Sequence, residues 1–380
     1  MTELGHSASP ARSQTFLAVA TVIGLLYVFL TGITGLEMGI SAFGADFADR
    51  VFDSVTNPVA GLFAAMLATA LVQSSSVTTS TIVGLVGAGA LSVSAAVPMI
   101  MGANIGTTIT NTLVSFGHVR QGQEFRRAFA GATVHDFFNV LTVIVALPLE
   151  LTTGFLSKSA AALTELFGRT ERVGGVTGES PIRAAVAWPM ERLADALTGT
   201  STTVRGTVLL VVGVVALFVA LGFITKTMRR LMAGGIERSI NRILDRGGGL
   251  AALALGLVVT MLVQSSSITT SILVPMMAAG VLTLNNAYPI TLGSNLGTTI
   301  TALLASLAAV GPGALTIALV HTLFNLFGIL LFYPIRAMRA IPIGLAQAAA
   351  GLVQRGARWV VAFVVVMWII IPVVGLFLLS

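Results

Sequence analysis

Neutral hydroxyl and amide groups carry most of the chemistry this chain of 380 residues could perform, and they come in pairs. Gln73-Ser74-Ser75-Ser76, followed by Val77-Thr78-Thr79-Ser80, returns as Gln264-Ser265-Ser266-Ser267, followed by Ile268-Thr269-Thr270-Ser271. Gly102-Ala103-Asn104-Ile105-Gly106-Thr107-Thr108 returns as Gly293-Ser294-Asn295-Leu296-Gly297-Thr298-Thr299. Both separations are 191 positions (264−73 and 295−104), so two motifs repeat in register and mark an internal duplication. Serine hydroxyls and a glutamine amide are neutral donors, and at a helix break they join exposed backbone N–H groups and a positive dipole end, which together suit an anion. Asn104 and Asn295 offer side-chain carbonyls beside threonine hydroxyls and a glycine where the backbone can open, an oxygen set that suits Na+ as well as anion donation. A third pair, His135-Asp136-Phe137-Phe138-Asn139 and His321-Thr322-Leu323-Phe324-Asn325, recurs at 186 positions (321−135). It places the carboxylate of Asp136 where the second copy has neutral Thr322. An ionisable group inside an apolar span usually meets a cation. For each histidine the plainer expectation is a helix-packing hydrogen bond through the ring.

Elements that position such groups must shelter them. Four polar residues in a row, with three more one residue further on, cannot face lipid, because each unpaired hydroxyl or amide in hydrocarbon costs several kcal/mol. Around each Gln-Ser-Ser-Ser the apolar runs are short, and glycines follow at Gly84, Gly87 and Gly89 in the first copy. The pattern predicts a re-entrant hairpin or broken helix with the motif at its tip. Apolar residues make up 55% of the chain and charged ones 9%, the balance of a polytopic membrane protein. No Asp, Glu, Lys or Arg occurs from Ser54 to Val119 or from Leu250 to Ile335. Each stretch can hold two or more crossings at about 20 residues each.

The formal charge of +6 does not imply a nucleic-acid partner, since the basic residues cluster in short segments between apolar spans. Arg120, Arg126 and Arg127 form one cluster and Lys226, Arg229, Arg230, Arg238, Arg242 and Arg246 another, the bias of cytoplasmic loops. The organisation expected is a tail, first helix and acidic exterior segment (Asp46, Asp49, Arg50, Asp53) over residues 1–53, then a first repeat core over 54–151. An exterior connector over 152–205 leads to a returning span and basic segment over 206–249, a second core over 250–335, and a last span within 336–380. The first core starts outside and the second inside, so the fold class expected is an all-α polytopic membrane protein of two inverted-topology repeats, the symmetry of alternating access. The N-terminus is then cytoplasmic, and the first span is read as an uncleaved helix rather than a signal peptide. The absence of cysteine excludes disulfides and thiol chemistry.

At these residues the chain resembles the type II sodium/phosphate cotransporter family. The resemblance rests on both Gln-Ser-Ser-Ser copies, both Asn-x-Gly-Thr-Thr segments and Phe125-Arg126-Arg127-Ala128-Phe129-Ala130-Gly131-Ala132-Thr133-Val134-His135-Asp136, and covers most of residues 55–151 and 250–335. It implies that Gln73 to Ser76 and Gln264 to Ser267 meet at the centre and bind inorganic phosphate. It also implies Na+ liganding by Ser294, Asn295, Thr298 and Asn139, and electrogenic transport, since electrogenic members have an Asp at the place of Asp136. Together with the chemistry of the residues, the phosphate set expected is Gln73, Ser74, Ser75, Ser76, Asn104, Thr107, Gln264, Ser265, Ser266, Ser267 and Thr298. The sodium set expected is Asp136, Asn139, Ser294, Asn295, Thr298 and Thr301. Neither core holds Lys or Arg, so bound Na+ would supply the charge the anion needs, and each ligand's affinity would depend on the other.

The function expected is a sodium-coupled symporter that imports phosphate, as the divalent ion with an excess of Na+, in the plasma (inner) membrane. No cofactor is expected beyond the co-transported Na+, and a homodimer is left open. A channel would need an open path or charged ring that the cores lack. A membrane enzyme would need a nucleophile with a base, and only His135 and His321 stand near the serines by motif.

Overall fold

The duplicated motifs break the chain at equivalent points. In the computed structural model, which describes residues 12–43, 57–120, 122–173, 181–232, 240 and 248–379, every regular element is helical. The first repeat runs α2 (Pro58–Val72), α3 (Ser75–Gly87), α4 (Val93–Gly106), α5 (Ile109–Ser115) and α6 (Gly122–Thr153), after α1 (Arg12–Ala42). The second runs α10 (Gly249–Val263), α11 (Ser266–Ala278), α12 (Leu284–Ala308) and α13 (Pro312–Phe332). Between the repeats lie α7 (Phe155–Val173), α8 (Pro181–Ala196) and α9 (Thr202–Met232), so most of the expected connector is helical. After them come α14 (Arg336–Ala350), α15 (Leu352–Arg355), α16 (Ala357–Val365) and α17 (Ile371–Leu379), the last two joined by a π turn. The acidic segment at Asp46 to Asp53 and the basic residues Arg238, Arg242 and Arg246 lie outside the described residues.

Among the described residues seven helical stretches, two of them made by α4 with α5 and by α16 with α17, are long and apolar enough to cross a membrane, and the protein is a multi-pass membrane protein. Four apolar helices are shorter: α2, α3, α10 and α11. At 15 residues α2 and α10 each reach about 22 Å, short of a hydrocarbon core of about 30 Å. Each therefore pairs with the next helix as a hairpin. Adding 191 to the bounds of α2 and α3 gives the bounds of α10 and α11, so the helix ends themselves are duplicated.

Close glycine approaches lock each repeat. Gly102 and Gly106 of α4 lie against the α2 backbone carbonyls of Leu62 and Met66, and Gly293 and Gly297 of α12 lie against Leu253 and Leu257 of α10. These are two small-xxx-small faces, each with the motif asparagine in its middle. The hairpins then exchange partners: α3 packs on α12 and α13 of the other repeat, and α11 packs on α5 and α6. Outside this core α1 lies along α9 through a second glycine seam, Gly32 and Gly39 against Gly213 and Gly206. The buried carboxylate of Glu37 on α1 accepts from Val310 N at 2.9 and 3.1 Å and so fixes the α12–α13 turn.

Candidate functional site

Each hairpin turns at its glutamine. Gln73 (φ 55°) and Gln264 (φ 56°) are, among the described residues, the two non-glycine residues with positive φ. Each ends its helix in the left-handed conformation, with its N–H donating to Thr69 O or Thr260 O at 2.7 Å. The following serine is extended and stands at the N-cap position of the next helix, so the first turns of α3 and α11 present their free N–H groups at the tips. In the first copy Ser74 Oγ accepts from Val77 N at 3.4 Å, whereas Ser265 makes no such cap.

The two tips touch. Ser76 Oγ donates to Gln264 O at 3.3 Å, and a cavity of about 290 Å³ is shared by Gln73, Ser74, Gln264, Ser265 and Ser267. Phe218, Leu221 and Thr225 of α9 complete its wall. Ser75 and Ser266 are buried directly behind it, one residue into their helices. Among the described residues no cationic side chain lines the cavity. An anion there would be held by neutral hydroxyls, an amide and two helix starts. The halves are not equal: Gln264 Oε1 accepts from Thr301 Oγ1 at 2.8 Å, while Gln73 is exposed to the cavity and buried Thr110 Oγ1, the counterpart of Thr301, has no partner within the protein.

Behind the second tip lies an oxygen cluster. Thr260 Oγ1 is 2.8 Å from both Thr269 Oγ1 and Ser294 Oγ, and Ser294 Oγ is 3.5 Å from Ser266 O. All four residues are buried. Such uncharged oxygens suit a hard monovalent cation. In the first repeat Ala103 stands at the place of Ser294, and the hydroxyl of buried Thr69 is left without a partner.

The chain carries this arrangement in two segments that match one family. Residues 28–161 and 198–358 match the model described as Na+/Pi-cotransporter. The chain belongs to that family. Its members are cotransporters, not enzymes. Sodium-dependent phosphate transport protein 2A of Rattus norvegicus is 33% identical to it over 425 residues, covering 94% of this chain and 67% of the relative. The 2A protein of Ovis aries matches at 33% over 429 residues, with the same coverage. Protein 2B of Homo sapiens is 32% identical over 439 residues, with 92% and 64% covered. No solved structure matches the chain.

In this Na+/Pi-cotransporter chain the Asn and His motifs meet at the crossing of the repeats. His135 Nε2 donates to Asn295 Oδ1 at 3.1 Å, and His321 Nε2 to Asn104 Oδ1 at 3.3 Å. Asn295 Nδ2 donates to Asn139 Oδ1 (2.8 Å) and Asn325 Oδ1 (2.6 Å), Asn139 Nδ2 to Asn104 O (2.8 Å), and Asn325 Nδ2 to Asn104 Oδ1 (3.3 Å). Six buried residues thus bolt α4 and α6 to α12 and α13. The expected ligands Asn104, Asn139 and Asn295 stand in this network, and Thr107 and Thr298 bond to the carbonyls of Ala103 and Asn295.

Asp136 stands apart from the network. Its carboxylate is 1% exposed, with Thr112 Oγ1 donating to Oδ2 at 3.4 Å and Oδ1 unpartnered. No basic side chain pairs with it among the described residues. Arg126 lies ten residues earlier on the same helix, about 15 Å along its axis, so an interfacial pairing is out of reach. Nearby, Thr270 Oγ1 of the second tip helix donates to Asn111 Oδ1 at 2.7 Å, linking α11 to α5. Sequence reasoning missed Thr260, Thr269, Thr110, Asn111 and Thr112. Threonines in apolar helices commonly bond back to their own helix; the register of the duplication pairs Thr260, Thr269 and Thr110 with Thr69, Thr78 and Thr301, whereas Asn111 and Thr112 fall opposite Ala302 and Leu303 and carry no such signal.

Proposed function

We propose that this chain is a sodium-coupled symporter that imports inorganic phosphate, as the divalent ion with an excess of Na+, by alternating access around the two tips. The observation that carries this reading is the meeting of the two Gln-Ser-Ser-Ser tips in one cavity that no cationic side chain among the described residues lines. Phosphate would take hydrogen bonds from the N–H groups at the starts of α3 and α11 and from the hydroxyls and amides of Gln73 to Ser76 and Gln264 to Ser267. Two sodium positions are proposed. One uses Ser294 with Thr260 and Thr269 directly behind the second tip, beside Thr298 and Thr301; the other uses the free oxygen of Asp136 beside Thr112. Asn139 and Asn295 serve through the network that fixes these helices. Because Na+ lies next to the anion, each would raise the other's affinity, which is the linkage a symporter needs. The names of the relatives support the same cargo. We further propose that the repeats are inverted, that the protein resides in the plasma (inner) membrane and that its N-terminus is cytoplasmic.

The test is uptake of radiolabelled phosphate into proteoliposomes with and without an inward Na+ gradient at clamped potential. Saturable uptake that requires Na+ and grows with an interior-negative potential is the expected result. Unsaturable flux, or uptake indifferent to Na+, would overturn it.

A further inference from the structure

Far along α6 from Asp136, the structure holds a second built cavity that the transport site does not use. It measures about 540 Å³ and lies between the first turns of α6, the α11–α12 turn and α14. Arg126, Arg127 and Gln123 form its α6 side, Gln347 of α14 faces them, and Met277 and Leu282 give it an apolar wall. Among the described residues no carboxylate lines it. Arg127 Nε donates to Gln123 O at 3.5 Å, and its guanidinium lies over Gly280 in the turn. Arg126 has no hydrogen bond, and neither arginine has an ion pair among the described residues. Two guanidinium forks therefore face one cavity with their charge unmatched.

Its depth follows from the helices that frame it. A membrane-length segment begins at Gly122, so Gln123 to Arg127 are its first turns. On the other side, α14 is too short and too polar to count among the crossing helices. It starts with Arg336 and Arg339 and packs Ala349 and Ala350 against Phe125 and Phe129. The cavity thus stands at a membrane–water boundary, where phosphate headgroups lie, and clustered arginines place it on the cytoplasmic leaflet. The duplication supplies a comparison. At an offset of 186 the places of Arg126 and Arg127 hold Pro312 and Gly313. There the equivalent space is packed shut, with Gly87 against Ala309 and Gly311, and Gly313 against Val86 and Val93. One repeat has filled this junction with its own side chains, and the other has left it open and lined it with cations.

We propose that this cavity binds the phosphate headgroup of an anionic phospholipid, seated on the forks of Arg126 and Arg127 with its apolar part along Met277 and Leu282. The bound lipid ties the second hairpin's turn to the first repeat's long helix. Inorganic phosphate shares the headgroup's chemistry but gains nothing from the apolar wall.

Native mass spectrometry of the purified full chain in Na+-free buffer reads this directly and does not depend on the transport reading. Phosphatidylglycerol and phosphatidylcholine compete for the wild type and for Arg126→Gln/Arg127→Gln, with folding checked by thermal melt. The wild type is expected to prefer phosphatidylglycerol by roughly tenfold or more, the value of a charge-assisted hydrogen bond, and the double variant to lose that preference. Gln347→Glu, an exposed position on the facing helix, places a carboxylate against the arginines; it should abolish the preference even if the double variant does not fold. A wild type that binds both lipids alike, or variants that keep the preference, would overturn the proposal. Displacement of phosphatidylglycerol by millimolar inorganic phosphate would assign the site to the free anion instead, and overturn the lipid as its occupant.

Discussion

Gln73 and Gln264 hold a backbone conformation that costs a side-chain-bearing residue about 1–2 kcal/mol, and a glycine there would be free of that cost. The fold keeps the amide at the strained position, which ties the strain to the cavity proposed for phosphate. Gln73→Gly is therefore expected to raise the melting temperature while phosphate uptake falls, a split that thermal melts and uptake on the same preparation would read. Ser75→Ala and Ser266→Ala should each weaken phosphate by roughly tenfold to a hundredfold without loss of folding, the value of one hydrogen bond to a charged group. Wild-type affinity in both variants would remove the serines from the site. At this scale the sequence made the tips legible, because four consecutive polar residues in an apolar chain have few places to go. The hydroxyl cluster proposed to hold Na+ was not legible. Thr260 and Thr269 look like ordinary helix threonines until folding brings Ser294 to them across some 30 residues of chain.

The hairpins depend on backbones that approach without side chains between them. A Cβ at Gly102 or Gly293 would strike Leu62 O or Leu253 O, so Gly102→Leu and Gly293→Leu should part α2 from α4 or α10 from α12. Overpacking of this kind costs about 1–3 kcal/mol or more, and fluorescence-detected gel filtration should show loss of the monodisperse peak. Gly24→Ala and Gly117→Ala, where nothing lies within 4 Å, are the controls and should run as wild type. Short apolar runs interrupted by polar tips announced the paired short helices, since a run of about 15 residues cannot span a bilayer. The helices α7 and α8 were hidden inside what read as a charged connector, because both are amphipathic and their apolar faces find partners only in the fold; α7 packs on α13, with Thr164 Oγ1 3.0 Å from Thr316 Oγ1. The partner exchange between hairpins was equally out of reach, being set by contacts between residues more than 150 positions apart.

Over the whole molecule the two copies differ most where charge is concerned. Asp136 faces Thr112 with a free oxygen, while Thr322 in the other repeat bonds back to Ala318 O at 3.2 Å. If Asp136 carries the Na+ whose charge is left over, each cycle moves one net charge, worth about 2.3 kcal/mol per 100 mV. Asp136→Asn should then transport more slowly and without response to potential, as potassium gradients clamped by valinomycin would measure; voltage dependence kept in the variant would move the charge elsewhere. The asparagine and histidine network carries a different consequence. Each half of the chain supplies groups that the other half partners: His135 Nε2 and Asn139 Oδ1 bond to Asn295, and His321 Nε2 and Asn325 Nδ2 to Asn104. Alone in a bilayer, either half would expose this set of polar groups at about 1–3 kcal/mol each. The molecule is thus a heterodimer whose subunits happen to share one polypeptide. Genes encoding residues 1–173 and 181–380 should yield phosphate uptake when expressed together and neither stable protein nor uptake when expressed singly, and co-purification through a tag on one fragment would show the reunion.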